Sequence, residues 1–224
     1  MAKTTVLMRR VLVLLAVLLI NAPAGAAKAA APVILVWGDS LSAAYGIPVE
    51  SGWVQLMQKR LREQGYPHRV VNGSVSGETT GGGLRRLPDA LARHKPKVVV
   101  IELGGNDGLR GLPVKQLRAN LDRMIALSRK VGARVLITEM MIPPNYGPTY
   151  TDAYNKTFHQ AAKASGIRLI PFPLGPIATD PKWFLDDGIH PSVPAQPRLL
   201  DIVWPEVQSV LAEAAGASGK MARP

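Results

Sequence analysis

Between residues 33 and 172 short, β-branched apolar runs alternate with longer amphipathic stretches, and this alternation restricts the fold more than any other feature. The clearest run is Lys97–Leu103, where Val98, Val99, Val100 and Ile101 stand in a row before Gly104-Gly105. A continuous apolar run suits a strand covered on both faces. Similar runs predict strands at Val33–Trp37, Arg69–Asn72, Arg134–Thr138 and Arg168–Phe172. Helical spacing predicts helices over Ser51–Gln64, Leu84–His94, Val114–Val131, Tyr150–Ser165 and about Ala195–Ala212. In the first, Ser51 is the expected N-cap and Trp53, Leu56, Met57 and Leu61 share a face. Pro205 is expected to kink or restart the last. Strands alternating with helices give crossover units and a parallel sheet, an α/β fold of five strands. The 224 residues suit one domain, expected over 27–213. The small, polar segment 214–224 is expected to be a disordered tail.

The N-terminus reads differently. Lys3, Arg9 and Arg10 precede an apolar run from Val11 to Ile20, then small residues with Ala24-Gly25-Ala26. That is the pattern of a secretory signal peptide, expected over 1–26, and the run is short of the ~20 residues a membrane span needs. The chain is therefore expected to be periplasmic or secreted. Losing those three basic residues takes the net charge from +11 to +8. The remaining Lys and Arg are scattered and aromatics are only 5%, which argues against a nucleic-acid partner and for a solvated basic surface capable of transient contact with a membrane. With no cysteine, disulfides, thiolate metal sites and a cysteine nucleophile are excluded.

In a parallel sheet, chemistry collects beyond the carboxyl ends of the strands. Four polar blocks stand at such positions: Gly38-Asp39-Ser40-Leu41, Ser74-Val75-Ser76-Gly77-Glu78, Gly104-Gly105-Asn106-Asp107 and Asp186-Asp187-Gly188-Ile189-His190. Singly, each has a plain reading. Asp39-Ser40 could be a turn and cap, Gly77 a turn glycine, Asn106 a backbone-bonding turn residue, and Asp187 and His190 surface polars. Together they supply acyl transfer. A serine hydroxyl needs a neighbouring base, and His190 can serve Ser40. Asp187, three residues earlier, can accept from His190 and set its tautomer. The N–H groups of Ser40 and Gly77 and the side-chain amide of Asn106 can form an oxyanion hole. A second histidine at ligand spacing is missing, so no metal is expected. The Gly81–Gly83 run lacks the Lys-Ser/Thr of a phosphate loop.

These four blocks, in this order, resemble the SGNH or GDSL hydrolase family. Its signature residues fall on Ser40, Gly77, Asn106 and His190, and its triad acid on Asp187. Glu102–Gly111, Pro144–Gly147 and Asp186–Pro191 resemble in particular the bacterial periplasmic thioesterase I branch, whose members act as acyl-CoA thioesterase, lysophospholipase and arylesterase. The resemblance covers residues 32–210. It implies a three-layer α/β/α sandwich with a flavodoxin-like five-stranded parallel sheet. It also implies no cofactor, a monomer, and a small acyl ester, thioester or lysophospholipid as substrate. Asn145, Tyr146 and Gly147 match a loop that lies over the acyl site in this branch, and Pro143-Pro144 should stiffen it. Glu78 stands where the branch often has Asp, and Gly81-Gly82-Gly83 should loosen the entry to the following helix. Two rivals stay open. One is a carbohydrate acetyl-esterase of the same family, and the other is a non-catalytic exported binding module.

Overall fold

The computed structural model describes residues 30–221, with side chains through Ala214. The expected leader, 1–26, lies outside the described residues. Five strands form one parallel sheet: β1 (Val33–Gly38), β2 (Arg69–Asn72), β3 (Val98–Glu102), β4 (Arg134–Thr138) and β5 (Arg168–Ile170). Their order is β2-β1-β3-β4-β5. The α-helices are α1 (Ser40–Ala43), α2 (Trp53–Glu63), α3 (Thr80–His94), α4 (Gly105–Leu109), α5 (Val114–Lys130), α6 (Pro148–Ser165) and α7 (Gln196–Met221).

The strands are apolar throughout because both faces are covered. Alternate side chains of β1 go to opposite layers. Ile34 and Val36 share one buried core with Trp53, Met57 and Leu61 of α2 and Leu199, Val203 and Val207 of α7. Leu35 and Trp37 share the other buried core with Leu87 of α3, Leu121 of α5 and Phe158 of α6. The result is a three-layer sandwich, with two long helices on one side and three on the other. The chain leaves β1 for β2 at one side and later crosses to β3 at the other. That reversal opens a crevice between the carboxyl ends of β1 and β3, where open sheets of this kind hold their ligands.

Three boundaries differ from the sequence reading. Ser51 does not cap α2. It ends a short 3-10 turn, and Gly52 is the cap residue. The orphan N–H of Trp53 instead donates to Oε1 of Gln196, 143 residues away, at 3.0 Å. Helix α3 starts at Thr80, four residues before the expected Leu84, so Gly81–Gly83 lie in its first turn and not in a loop before it. The reason is close packing. A Cβ on Gly83 would stand 2.5 Å from Leu103 Cδ1, and the Gly83 carbonyl accepts from Trp37 Nε1 at 3.1 Å. Helix α7 runs on through Pro205 without a restart and ends at Met221, beyond the expected end near Ala212. Residues 222–224 lie outside the described residues.

Candidate active site

Asp39 follows the last residue of β1 and caps α1, its Oδ1 accepting from the Leu41 N–H at 3.1 Å. This puts Ser40 at the first position of α1, at the carboxyl end of a central strand. The turn closes at once. Ala44 takes a left-handed conformation (φ 60°), and the Tyr45 N–H donates to the Ser40 carbonyl at 3.2 Å. A non-glycine residue pays strain there, and such strain persists where the surroundings hold it. Here the turn brings the Tyr45 ring against His190, with centroids 4.4 Å apart and planes at 40°. The histidine thus rests on the serine's own turn.

His190 sits on a clipped loop. Phe184 and Pro191 form an antiparallel bridge, and the Leu185 N–H donates to the His190 carbonyl at 2.8 Å. Within the loop, Asp187 Oδ2 is 2.7 Å from His190 Nδ1, while Oδ1 accepts from the N–H groups of Ile189 (2.8 Å) and His190 (2.9 Å). The His190 backbone N–H, then its ring, then the Ile189 N–H hold the Asp187 carboxyl down to about 2. A carboxylate only accepts, so Nδ1 carries a proton, and in the neutral ring the lone pair is on Nε2.

Asn106 follows β3 in α4, after Gly104 turns the chain with φ 124°. Its Nδ2 donates to Asp39 Oδ2 at 3.2 Å, which ties the third block to the first. Gly77 has φ 77°, a conformation that only glycine adopts at little cost, and its carbonyl accepts from Arg110 Nη2 at 3.0 Å. The 3-10 turn Pro144–Tyr146 reaches the same rim. Tyr146 Oη donates to the Leu109 carbonyl at 2.8 Å, with Asn145 and Gly147 on either side. Among the described residues no three His, Cys, Asp or Glu side chains gather to hold a metal ion.

Beneath this surface lie three acids, two of which the sequence reading did not single out. Asp39, 2% exposed, is pushed up to about 6, first by burial, against the pull of the Leu41 N–H and the Asn106 amide. Glu102 ends β3, also 2% exposed, and its Oε2 accepts from Ser42 Oγ at 2.5 Å. Burial, then the Asp39 charge, pushes it well above the ordinary carboxylate range. Asp107 accepts from the Thr80 N–H at 2.7 Å and from Thr80 Oγ1 at 2.5 Å, so it ties the loop after Gly77 to the loop of Asn106. Burial raises it too. The signal for Glu102 and Asp107 was their place at a strand's carboxyl end. The signal for Tyr45 was only its five-residue distance from Ser40.

The model of the GDSL-like lipase/acylhydrolase family matches residues 36–196. The chain belongs to this family. Esterase TesA of Pseudomonas aeruginosa is 50% identical over 184 residues, covering 82% of this chain and 92% of that protein. An arylesterase of Vibrio mimicus is 45% identical over 182 residues, with 81% and 91% covered. Thioesterase 1/protease 1/lysophospholipase L1 of Escherichia coli K12 is 37% identical over 183 residues, with 82% and 86% covered. A crystal structure of TesA superposes with a TM-score of 0.77 at 49% identity, covering 80% of this chain and 99% of that one.

Proposed function

We propose that this chain is a serine hydrolase of acyl esters and thioesters, with lysophospholipid among its substrates. As a member of the lipase/acylhydrolase family it is an ester hydrolase, and its named relatives include an esterase, an arylesterase and a thioesterase/lysophospholipase. One observation carries the assignment of roles. The Asp187–His190 pair rests on the turn that begins with Ser40, and Asn106 is anchored beside it through Asp39.

In this reading Ser40 Oγ attacks the acyl carbonyl carbon while His190 Nε2 takes its proton. Asp187 keeps the proton on Nδ1 and steadies the imidazolium. The carbonyl oxygen becomes an oxyanion, received by the N–H groups of Ser40 and Gly77 and by the Asn106 amide. The intermediate collapses, and His190 returns the proton to the leaving alkoxide. A thiolate can leave without that help, and His190 then loses its proton to solvent. Water, deprotonated by His190, then attacks the acyl-serine, and the acid departs as Ser40 recovers its proton. The turn of Asn145, Tyr146 and Gly147 forms one wall of the acyl site, where each buried methylene adds about 0.8 kcal/mol. The leader pattern of residues 1–26 supports export, and outside the cytoplasm lysophospholipid is a more accessible substrate than acyl-CoA.

The test is hydrolysis of p-nitrophenyl esters from acetate to palmitate, wild type beside Ser40→Ala. A maximum at medium or long chains that vanishes in the variant is expected. A maximum at acetate, also lost in the variant, would favour the carbohydrate acetyl-esterase, and no hydrolysis at any length would return the binding module.

A further inference from the structure

The two outer layers differ in charge. Helices α3, α5 and α6 together carry ten Lys and Arg against three Asp. Helices α2 and α7, on the other side of the sheet, carry five against four Asp and Glu. On that second side the charges pair, as in Arg60–Asp201 at 2.8 Å and Lys59–Glu63 at 3.8 Å. Among these helices the excess of positive charge therefore lies on the three-helix face.

That face is also grooved. The seam between α5 and α6 forms a cleft of about 630 Å³ lined by Lys115, Arg118, Thr149 and Lys156, and a second of about 490 Å³ continues along it to Lys163. Asp152 and Asp122 offset part of the charge, at 3.9 Å from Lys156 and 2.8 Å from Arg118. Lys115, Lys156 and Lys163 are all exposed.

The apolar surface is placed as unevenly. Among the described residues nine large apolar side chains are exposed, and eight of them follow the carboxyl end of a strand, Val131 being the exception. Leu109, Met141 and Tyr146 precede the N-termini of α5 and α6, and the Tyr146–Leu109 hydrogen bond joins two of them into one edge. The edge meets the cationic seam where Lys115 and Thr149 open the cleft. Cations for anionic head groups and an adjoining apolar edge for the layer beneath are what a bilayer surface receives. A nucleic acid has no apolar layer for the edge.

We propose that the α3–α5–α6 face docks on an anionic phospholipid bilayer. The seam cations lie over the head groups, and Leu109 and Tyr146 sit at the acyl boundary. The rim of the Ser40 site then opens at the membrane surface, where single-chain lipids are concentrated. Docking is a property of the surface and is read on Ser40→Ala, so a failed esterase assay and a failed docking assay are separate results.

The experiment is co-sedimentation of chain 27–224, which contains the whole compact unit from Ala31 onward, with vesicles of phosphatidylcholine alone or with about 30% phosphatidylglycerol. Binding to the anionic vesicles is expected, weakening as salt rises. Each basic residue near such a surface is worth about fivefold in affinity, so Lys115→Glu/Lys156→Glu/Lys163→Glu should weaken binding at least about a hundredfold. Lys59→Glu/Arg62→Glu, on the opposite face, should bind as the parent. Leu109→Ser should weaken vesicle binding and leave binding to duplex DNA unchanged. Equal binding to neutral vesicles, equal losses in both charge variants, or duplex DNA preferred over anionic vesicles at every salt would overturn the proposal.

Discussion

Asp39→Asn separates what the site costs from what it does. The Asp39 carboxyl is pushed from 3.8 to about 6 by burial. Below about pH 4 the folded and unfolded chains both hold its proton, and the group adds no penalty. Between about pH 4 and 6 the unfolded chain releases the proton while the folded chain keeps it, so stability falls as pH rises. Above 6 both forms are ionised and the penalty stays constant. The full shift is worth about 3 kcal/mol, of which about 2 kcal/mol develops between pH 4 and 7. Asparagine escapes this titration. Its Oδ1 can still accept from the Leu41 N–H, but its Nδ2 then faces the Asn106 amide donor to donor. That loses about 1 kcal/mol of hydrogen bonding at every pH. The variant should be less stable than wild type near pH 4 and more stable at pH 7. For a chain this size, the difference in Tm should move by about 4–8 °C between the two. Activity should fall even where stability rises, because Asn106 has lost its anchor, though by less than the ~10²–10³ of deleting an oxyanion donor. Thermal unfolding of both proteins at the two pH values, with kcat on p-nitrophenyl butyrate at pH 7, reads all of this. A Tm difference that does not change with pH would refute the buried-carboxylate account.

Asn106→Ala should lower kcat by ~10²–10³ with KM little changed, read by steady-state kinetics on the same ester. Gly83→Ala should lower stability by about 1–3 kcal/mol in a urea titration, since the new Cβ would meet Leu103 Cδ1 at 2.5 Å and Trp37 Nε1 at 3.2 Å. Tyr45→Leu should lower kcat about two- to thirtyfold by removing the aromatic face that favours protonated His190, and Tyr45→Phe should restore it, because the ring and not the hydroxyl makes the contact.

The elements that could be read from the chain are those whose cause is local. Val98–Ile101 can only be a strand covered on both faces, and Leu117, Leu121, Met124 and Ile125 only the inner stripe of a helix. The site was legible for a similar reason. Ser40, Gly77, Asn106, Asp187 and His190 each stand in a short polar block just past a strand or on its return loop. What was not legible depends on partners far along the chain. The start of α2 is held by Gln196, which leaves no mark near that helix, while α3 has a local cap in Thr79, whose hydroxyl accepts from the Gly82 N–H, and its second anchor, Asp107 on the Thr80 N–H, lies 27 residues on. The Gly81–Gly83 run reads locally as a loose entry. Only the nearness of Leu103 and Trp37 shows why a side chain is kept out at Gly83. Glu102 reads as the polar end of a strand, and its burial beside Asp39 follows from the pairing of β3 with β1.

The central claim is that Ser40 is the nucleophile, activated by His190. The most direct measurement is labelling with diethyl p-nitrophenyl phosphate, followed by mass spectrometry of the digested protein. The account predicts one phosphoryl adduct, on Ser40, formed in step with loss of esterase activity and greatly slowed in His190→Ala. An adduct on another residue, or full esterase activity in a chain whose Ser40 is wholly labelled, would contradict it.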